Sequence, residues 1–93
     1  MALNDSVIKN SAAHQFEVTG SDGRATLTYR ENSDHITLVH TEVAEELEGK
    51  GYGSLLARSA LDYARANNLR VIPSCPFVSQ FIRRHPEYAD LVA

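Results

Sequence analysis

The apolar residues of this chain change period at one place, and that change decides what it can fold into. From His14 to Glu31 they recur at every second position, and less strictly from there to Val43. Beyond the stretch Glu48-Gly49-Lys50-Gly51-Tyr52-Gly53 they recur at about 3.6. A strand passing through a tight turn into an amphipathic helix is the reading of that switch. With 93 residues, 43% of them apolar, the chain can bury one core but not two, so residues 1–93 are read as a single domain with an ordered core over about 14–92.

On the strand side, His14 to Thr19 sets Phe16 and Val18 against Gln15, Glu17 and Thr19. Gly20-Ser21-Asp22-Gly23 reads as a turn, and Arg24 to Glu31 repeats the pattern with Ala25, Leu27 and Tyr29 on one face. After Asn32-Ser33-Asp34, a third strand runs from His35 to Val43, completing an antiparallel three-strand meander. In a regular strand Val39 and Val43 would face opposite to Ile36 and Leu38, which predicts a central strand buried on both sides.

On the helix side, Leu55, Leu56, Ser59, Ala60, Tyr63 and Ala64 form the predicted buried face, and Asn67-Asn68 the stop. Leu69 to Ile72 is a short strand ended by Pro73. A second helix starts at Ser74 or Cys75, with Pro76 at its first position and Phe77, Val78, Phe81 and Ile82 as its stripe. His85-Pro86 breaks it, and Tyr88, Leu91 and Val92 pack a last turn. The fold class is α+β, and the crossover from His35 to Ile72 joins parallel strands.

Composition narrows the function. The formal charge of -3 argues against a broad surface for nucleic acid or anionic membrane. There is no apolar run of the roughly 20 residues that span a bilayer, and Met1 to Asn10 lacks the pattern of a signal peptide, so a soluble cytoplasmic protein is expected. Cys75 is the only cysteine, which excludes an internal disulfide and a multi-thiolate metal site. His14 and His35 have no partners in the pattern, so no metal is expected. Monomer and homodimer both stay open, a free sheet edge being a route to the second.

The glycine turn is the strongest chemical signal. Between a strand and a helix start, glycines allow positive φ and close approach, and the helix amides with Lys50 present positive charge to an anion. A P-loop would need Lys followed by Ser or Thr after its second glycine. A dinucleotide fingerprint would need two residues between its last glycines and an acid about 20 positions on. Neither order occurs, and a purely structural connection remains the alternative.

These residues resemble the pyrophosphate-binding motif of the GNAT acetyltransferases, with Glu48, Gly51 and Gly53 at the motif positions. More narrowly, His40-Thr41-Glu42-Val43, the glycine turn, Pro73-Ser74-Cys75-Pro76-Phe77-Val78 and Phe81-Ile82-Arg83-Arg84-His85-Pro86-Glu87-Tyr88 resemble the short GNAT-like proteins of the YjdJ type. The resemblance covers about Phe16 to Val92 and implies a minimal GNAT-like fold. It further implies acetyl-coenzyme A in the gap between the third and fourth strands, its pantetheine beside the backbone of Thr41 and Val43 and its pyrophosphate on Gly49, Lys50, Gly51, Tyr52, Gly53 and Ser54. Glu48 departs from the usual Gln or Arg, and a carboxylate beside phosphates must turn away. The elements that shape the acceptor site in larger members are missing, so the acceptor is not inherited from them.

Acetyl transfer to an amine needs a base, an oxyanion donor and a proton for the thiolate. Cys75, at a strand end and helix start, is either a nucleophile that accepts the acetyl group or an inert buried cysteine. His40 and Glu42, two apart on one strand face, are candidate bases that would look into the gap, unless the histidine is simply hydrogen-bonded in the core. Arg83, Arg84 and His85 are read as a helix end, with the adenosine phosphate as a possible partner. The expectation is an acetyl-coenzyme A-dependent N-acetyltransferase acting on an amine. The alternatives are a non-catalytic acyl-coenzyme A-binding or sensing module and a small protein-interaction domain.

Overall fold

The computed structural model describes residues 7–20 and 23–93. The reading of Met1 to Asn10 as free of a leader, and of Ser21-Asp22 as a turn centre, falls wholly or partly outside them. One five-stranded sheet, ordered β1-β2-β3-β4-β5, consists of β1 (Ile8–Asn10), β2 (Gln15–Gly20), β3 (Gly23–Glu31), β4 (His35–Val43) and β5 (Arg70–Pro73). A 3-10 turn at Glu45–Leu47 precedes helix α1 (Tyr52–Ala66); helix α2 (Pro76–Arg84) follows β5, and a second 3-10 stretch covers Pro86–Leu91. The first four strands pair antiparallel and β4 pairs β5 in parallel, as the crossover required. The mixed α/β class is therefore as expected.

The core lies between one face of the sheet and the helices. Phe16, Val18, Ala25, Leu27, Ile36, Leu38 and Val71 point into it from the strands, and Leu56, Ala57, Ala60, Leu61 and Ala64 from α1. The buried face of α1 is thus turned from the expected one, with Ala57 and Leu61 inward and Leu55, Ser59 and Tyr63 only half-buried. Tyr63 sits at the rim because its hydroxyl donates to Glu31 at 2.6 Å, while the small alanines let the helix lie close on the sheet. Asn67 caps α1 and Asn68 follows with φ 56°, the left-handed conformation asparagine tolerates at such an end.

Strand β1 was not expected from the pattern. It is an edge strand of three residues, pinned by Lys9, whose ammonium lies 3.3 Å from Glu31 and over the rings of Tyr29 and Tyr63 at 5.1 and 4.8 Å. Burial opposes its charge, but the contacts with Tyr29, Glu31 and Tyr63 outweigh it and hold Lys9 well above its ordinary pKa.

A β-bulge decides which way the end of β4 faces. Leu38 pairs with Tyr29, but Thr28 pairs with His40, leaving Val39 as an extra residue. The alternation is inverted beyond it: Thr41 and Val43 stand opposite Leu27 and Ala25 on the core face, and His40 and Glu42 stand with Thr28 and Thr26 on the other. The expectation that Val43 faces opposite to Ile36 and Leu38 is therefore corrected. So is the expectation of a strand buried on both sides. β4 is an interior strand between β3 and β5, and the centre of the sheet is β3; on the second face of β4, His40 and Glu42 are exposed.

Candidate active site

Strands β4 and β5 pair only from His35↔Arg70 to Leu38↔Pro73. The Cys75 amide then donates to the Leu38 carbonyl at 2.8 Å, and beyond that bond the two strands part. Proline causes the parting. Pro73 has no N–H to continue the ladder, and Pro76, at the first position of α2, turns the chain into a helix. On its other side β4 stays bound to β3, and the Ala44 amide donates to the Arg24 carbonyl at 3.1 Å. By strand alternation the main-chain groups of Thr41 and Val43 then face the gap.

A cavity of about 460 Å³ fills this gap. One wall is Thr41 and Val43 of β4, another is Leu47 and Glu48 of the 3-10 turn, and the floor is Gly49, Gly51, Tyr52, Gly53 and Ser54 with the ring of Phe77 at one end. Gly49 and Gly51 have φ of 79° and 87°, and Gly51 caps α1. Only glycine takes that conformation without strain. The first helical hydrogen bond runs from the Leu55 amide to the Gly51 carbonyl at 3.0 Å, so the amides of Tyr52, Gly53 and Ser54 precede the ladder and stay available. Gly53 is small for a different reason: a Cβ there would lie 2.9 Å from the Phe77 ring.

The arrangement suits a long ligand with an anionic middle. Free amides and the helix dipole favour an anionic group, and the unpaired strand edge offers main-chain hydrogen bonds to an amide-containing chain. Lys50 is exposed and does not line the cavity, whereas the Glu48 residue lines it at the rim.

The candidate catalytic residues fall on two sides of β4. Cys75 is buried, its Sγ 3.2 Å from the Thr41 hydroxyl, and lies behind Thr41 rather than in the cavity wall. His40 Nε2 is 3.7 Å from Glu42 Oε2, both largely exposed on the open face. They share a face, as the spacing implied, but the bulge sends it away from Cys75. On that side Glu42 borders a recess with Arg24, Thr26 and Ala44, which shares Thr41, Val43 and Glu48 with the cavity. Arg84 is exposed at the end of α2, and His85 stacks on Phe81 with centroids 4.1 Å apart. Among the described residues no group of three His, Cys, Asp or Glu could hold a metal ion, and no helix is long and apolar enough to cross a membrane.

Phe77 and Leu47 are the cavity residues that pattern reading missed. The 3.6 period assigned Phe77 to the buried stripe with Val78, Phe81 and Ile82, but it is 41% exposed and faces the gap. Its place in the first turn after Pro76 was the available signal.

A family model described as GCN5-related N-acetyl-transferase matches residues 15–91. The protein NATD1 of Bos taurus is 35% identical over 75 residues, covering 77% of this chain and 66% of its own length. The protein NATD1 of Danio rerio is 26% identical over 87 residues, 90% of this chain and 79% of its own length. Among solved structures, the NMR solution structure of a GCN5-like protein from Staphylococcus aureus superposes with a TM-score of 0.72 at 29% identity, over 100% of this chain and 91% of the other.

Proposed function

The chain belongs to the GCN5-related N-acetyltransferase family, and from that premise we propose that it moves an acetyl group from acetyl-coenzyme A to an amine presented at the open face of the sheet. The observation that carries this reading is the cavity in the β4–β5 gap, which combines the free amides of Tyr52, Gly53 and Ser54 with the unpaired edge of Thr41 and Val43. The other binding residues of the reading are Gly49, Lys50 and Gly51, of which Lys50 supplies long-range charge from outside the wall.

When bound, acetyl-coenzyme A supplies an activated acyl carbon; an uncharged amine attacks it, the C–N bond forming as the C–S bond breaks and coenzyme A departs as its thiolate, which takes a proton from solvent. Glu42 or His40 takes the proton from the amine on the open side of β4, within reach of one another at 3.7 Å. The gap-facing amides of β4 polarise the carbonyl. Transfer is direct in this reading, because Cys75 is shielded by Thr41. The site needs no metal, and a cytoplasmic setting supplies the cosubstrate.

The open acceptor face favours a second reading. With no element over His40 and Glu42 among the described residues, the domain would serve as a non-catalytic acyl-coenzyme A-binding module. Calorimetric titration with coenzyme A, paired with a mass-spectrometric transfer assay on a panel of peptide and polyamine acceptors, separates the two. Binding with transfer supports the enzyme, and binding without transfer to any amine supports the module. Absence of binding defeats both.

A further inference from the structure

Both helices pack into the core on one face of the sheet, and among the described residues nothing covers the other. The middle of that open face is low and polar, with half-buried Thr26 and Thr28 of β3 beside Thr37 of β4. Its charge is divided between two ends. At the end nearer the cavity is the recess of about 560 Å³ beside Glu42 and Glu48, whose cation, Arg24, is held by Glu17 at 3.4 Å. At the opposite end a recess of about 340 Å³ is lined by Arg30, His35, Thr37 and Ile72. Arg30 also lines a third cavity, of about 640 Å³, together with Lys9 and His14. Glu31, the carboxylate in the lining of both, is taken up by Lys9 at 3.3 Å and by the Tyr63 hydroxyl at 2.6 Å. Arg30 itself forms no ion pair among the described residues.

Resting on the acetyltransferase reading above, we propose that this face takes the acceptor as an extended polypeptide, its amine entering the recess at Glu42 and Glu48 and a carboxylate about four residues away meeting Arg30. The strands set the spacing. Glu42 stands opposite Thr26, and Arg30 follows Thr26 by four residues on β3, roughly 13 Å along the strand. An extended peptide has the same rise, so its fourth residue from the reacting lysine arrives at Arg30. The signs fit as well: carboxylates at one end attract a lysine, and a guanidinium without a protein partner suits the planar carboxylate of Asp or Glu. Ile72, 39% exposed beside Arg30, offers apolar contact to a neighbouring side chain of the peptide. A polyamine long enough to span the face would set its second ammonium against Arg30, which selects against that class. Arg30 is then a specificity residue for the acceptor, on the far end of the sheet from the reacting groups.

The test measures kcat/KM for acetyl transfer to short peptides with a blocked N-terminus and a single lysine, carrying Glu or Gln either beside the lysine or about four residues from it, in both directions. On the wild type, the distant Glu should raise kcat/KM about fivefold over Gln in one of the two directions, chiefly through KM. Glu beside the lysine should lower it, because it faces Glu42 and Glu48. Arg30→Gln should erase the distant preference, Arg30→Glu should reverse it in favour of Lys at that place, and high salt should shrink it in the wild type. Arg30 is exposed, and coenzyme A titration of each variant verifies that the fold is kept. Rates that ignore the distant residue, a preference that survives Arg30→Glu, or spermidine outpacing every peptide overturns the assignment and leaves the acetyltransferase reading standing. Coenzyme A binding without transfer to any peptide or amine overturns both. A dimer in sedimentation that Arg30→Glu dissociates gives the face to a second copy and overturns the assignment too.

Discussion

The Thr41 hydroxyl and the Cys75 thiol meet at 3.2 Å where β4 and β5 part. The contact joins the two strand ends that diverge to form the cavity, and it places the sulfur beneath the wall. Cys75→Ala should therefore leave acetyl transfer within about threefold of the wild type, with a stability loss of about 1 kcal/mol from the vacated buried site. Intact-mass measurement after incubation with acetyl-coenzyme A checks the same point. An acetyl adduct on the wild type that disappears in the variant would establish a covalent route instead.

Glu42 and His40 should behave as a pair on the far side of the strand. Glu42→Gln combined with His40→Ala is expected to lower kcat by roughly a hundredfold while leaving coenzyme A affinity unchanged, as the loss of a general base predicts. Equal falls in binding and turnover would instead mark the pair as part of the cosubstrate site.

Gly51 and Gly53 should fail for different reasons. At Gly51 there is open space around a Cβ but a φ of 87°, so Gly51→Asp costs about 1 kcal/mol of backbone strain and sets a carboxylate at the helix start. Coenzyme A affinity should drop at least tenfold while the thermal midpoint falls a few degrees. Gly53→Ala instead pushes on the Phe77 ring, and Phe77→Leu in the same chain should restore part of the lost binding.

Acid stability should depend on two surface carboxylates. Arg65 holds Asp90 below its ordinary 3.8 by a side-chain hydrogen bond, and Gln15, with Asn10, holds Glu17 below 4.5. A carboxyl depressed in the fold adds stability above its unfolded pKa and loses it as pH falls through the folded one. Thermal midpoints should thus be insensitive to pH near neutrality, where both groups contribute fully, and decline below about pH 4, and Asp90→Asn with Glu17→Gln should flatten that decline.

Much of this fold was legible because its signals are local. The alternation of Phe16 with Val18 and of Ala25 with Leu27 and Tyr29 reports burial directly, and Pro76 marks a helix start by what its ring forbids. The glycine turn was legible for the same reason, since positive φ selects residue type. What escaped depends on partners distant in sequence. The bulge at Val39 is a matter of register against β3, and nothing within His35 to Val43 announces an inserted residue. Three-residue β1 is held by Lys9 meeting Glu31 and Tyr63, far along the chain. Phe77 has the right period for the core but the wrong neighbour in Gly53.

The inserted Val39 has a kinetic consequence. Because the alternation flips there, the cavity and the recess beside Glu42 are reached from different sides of β4 but share Thr41 and Val43 in their lining. Two reactants entering by them meet at those shared residues, and neither stands in the other's doorway. Loading is then free of a steric queue, and initial-velocity lines for the two substrates should intersect rather than run parallel.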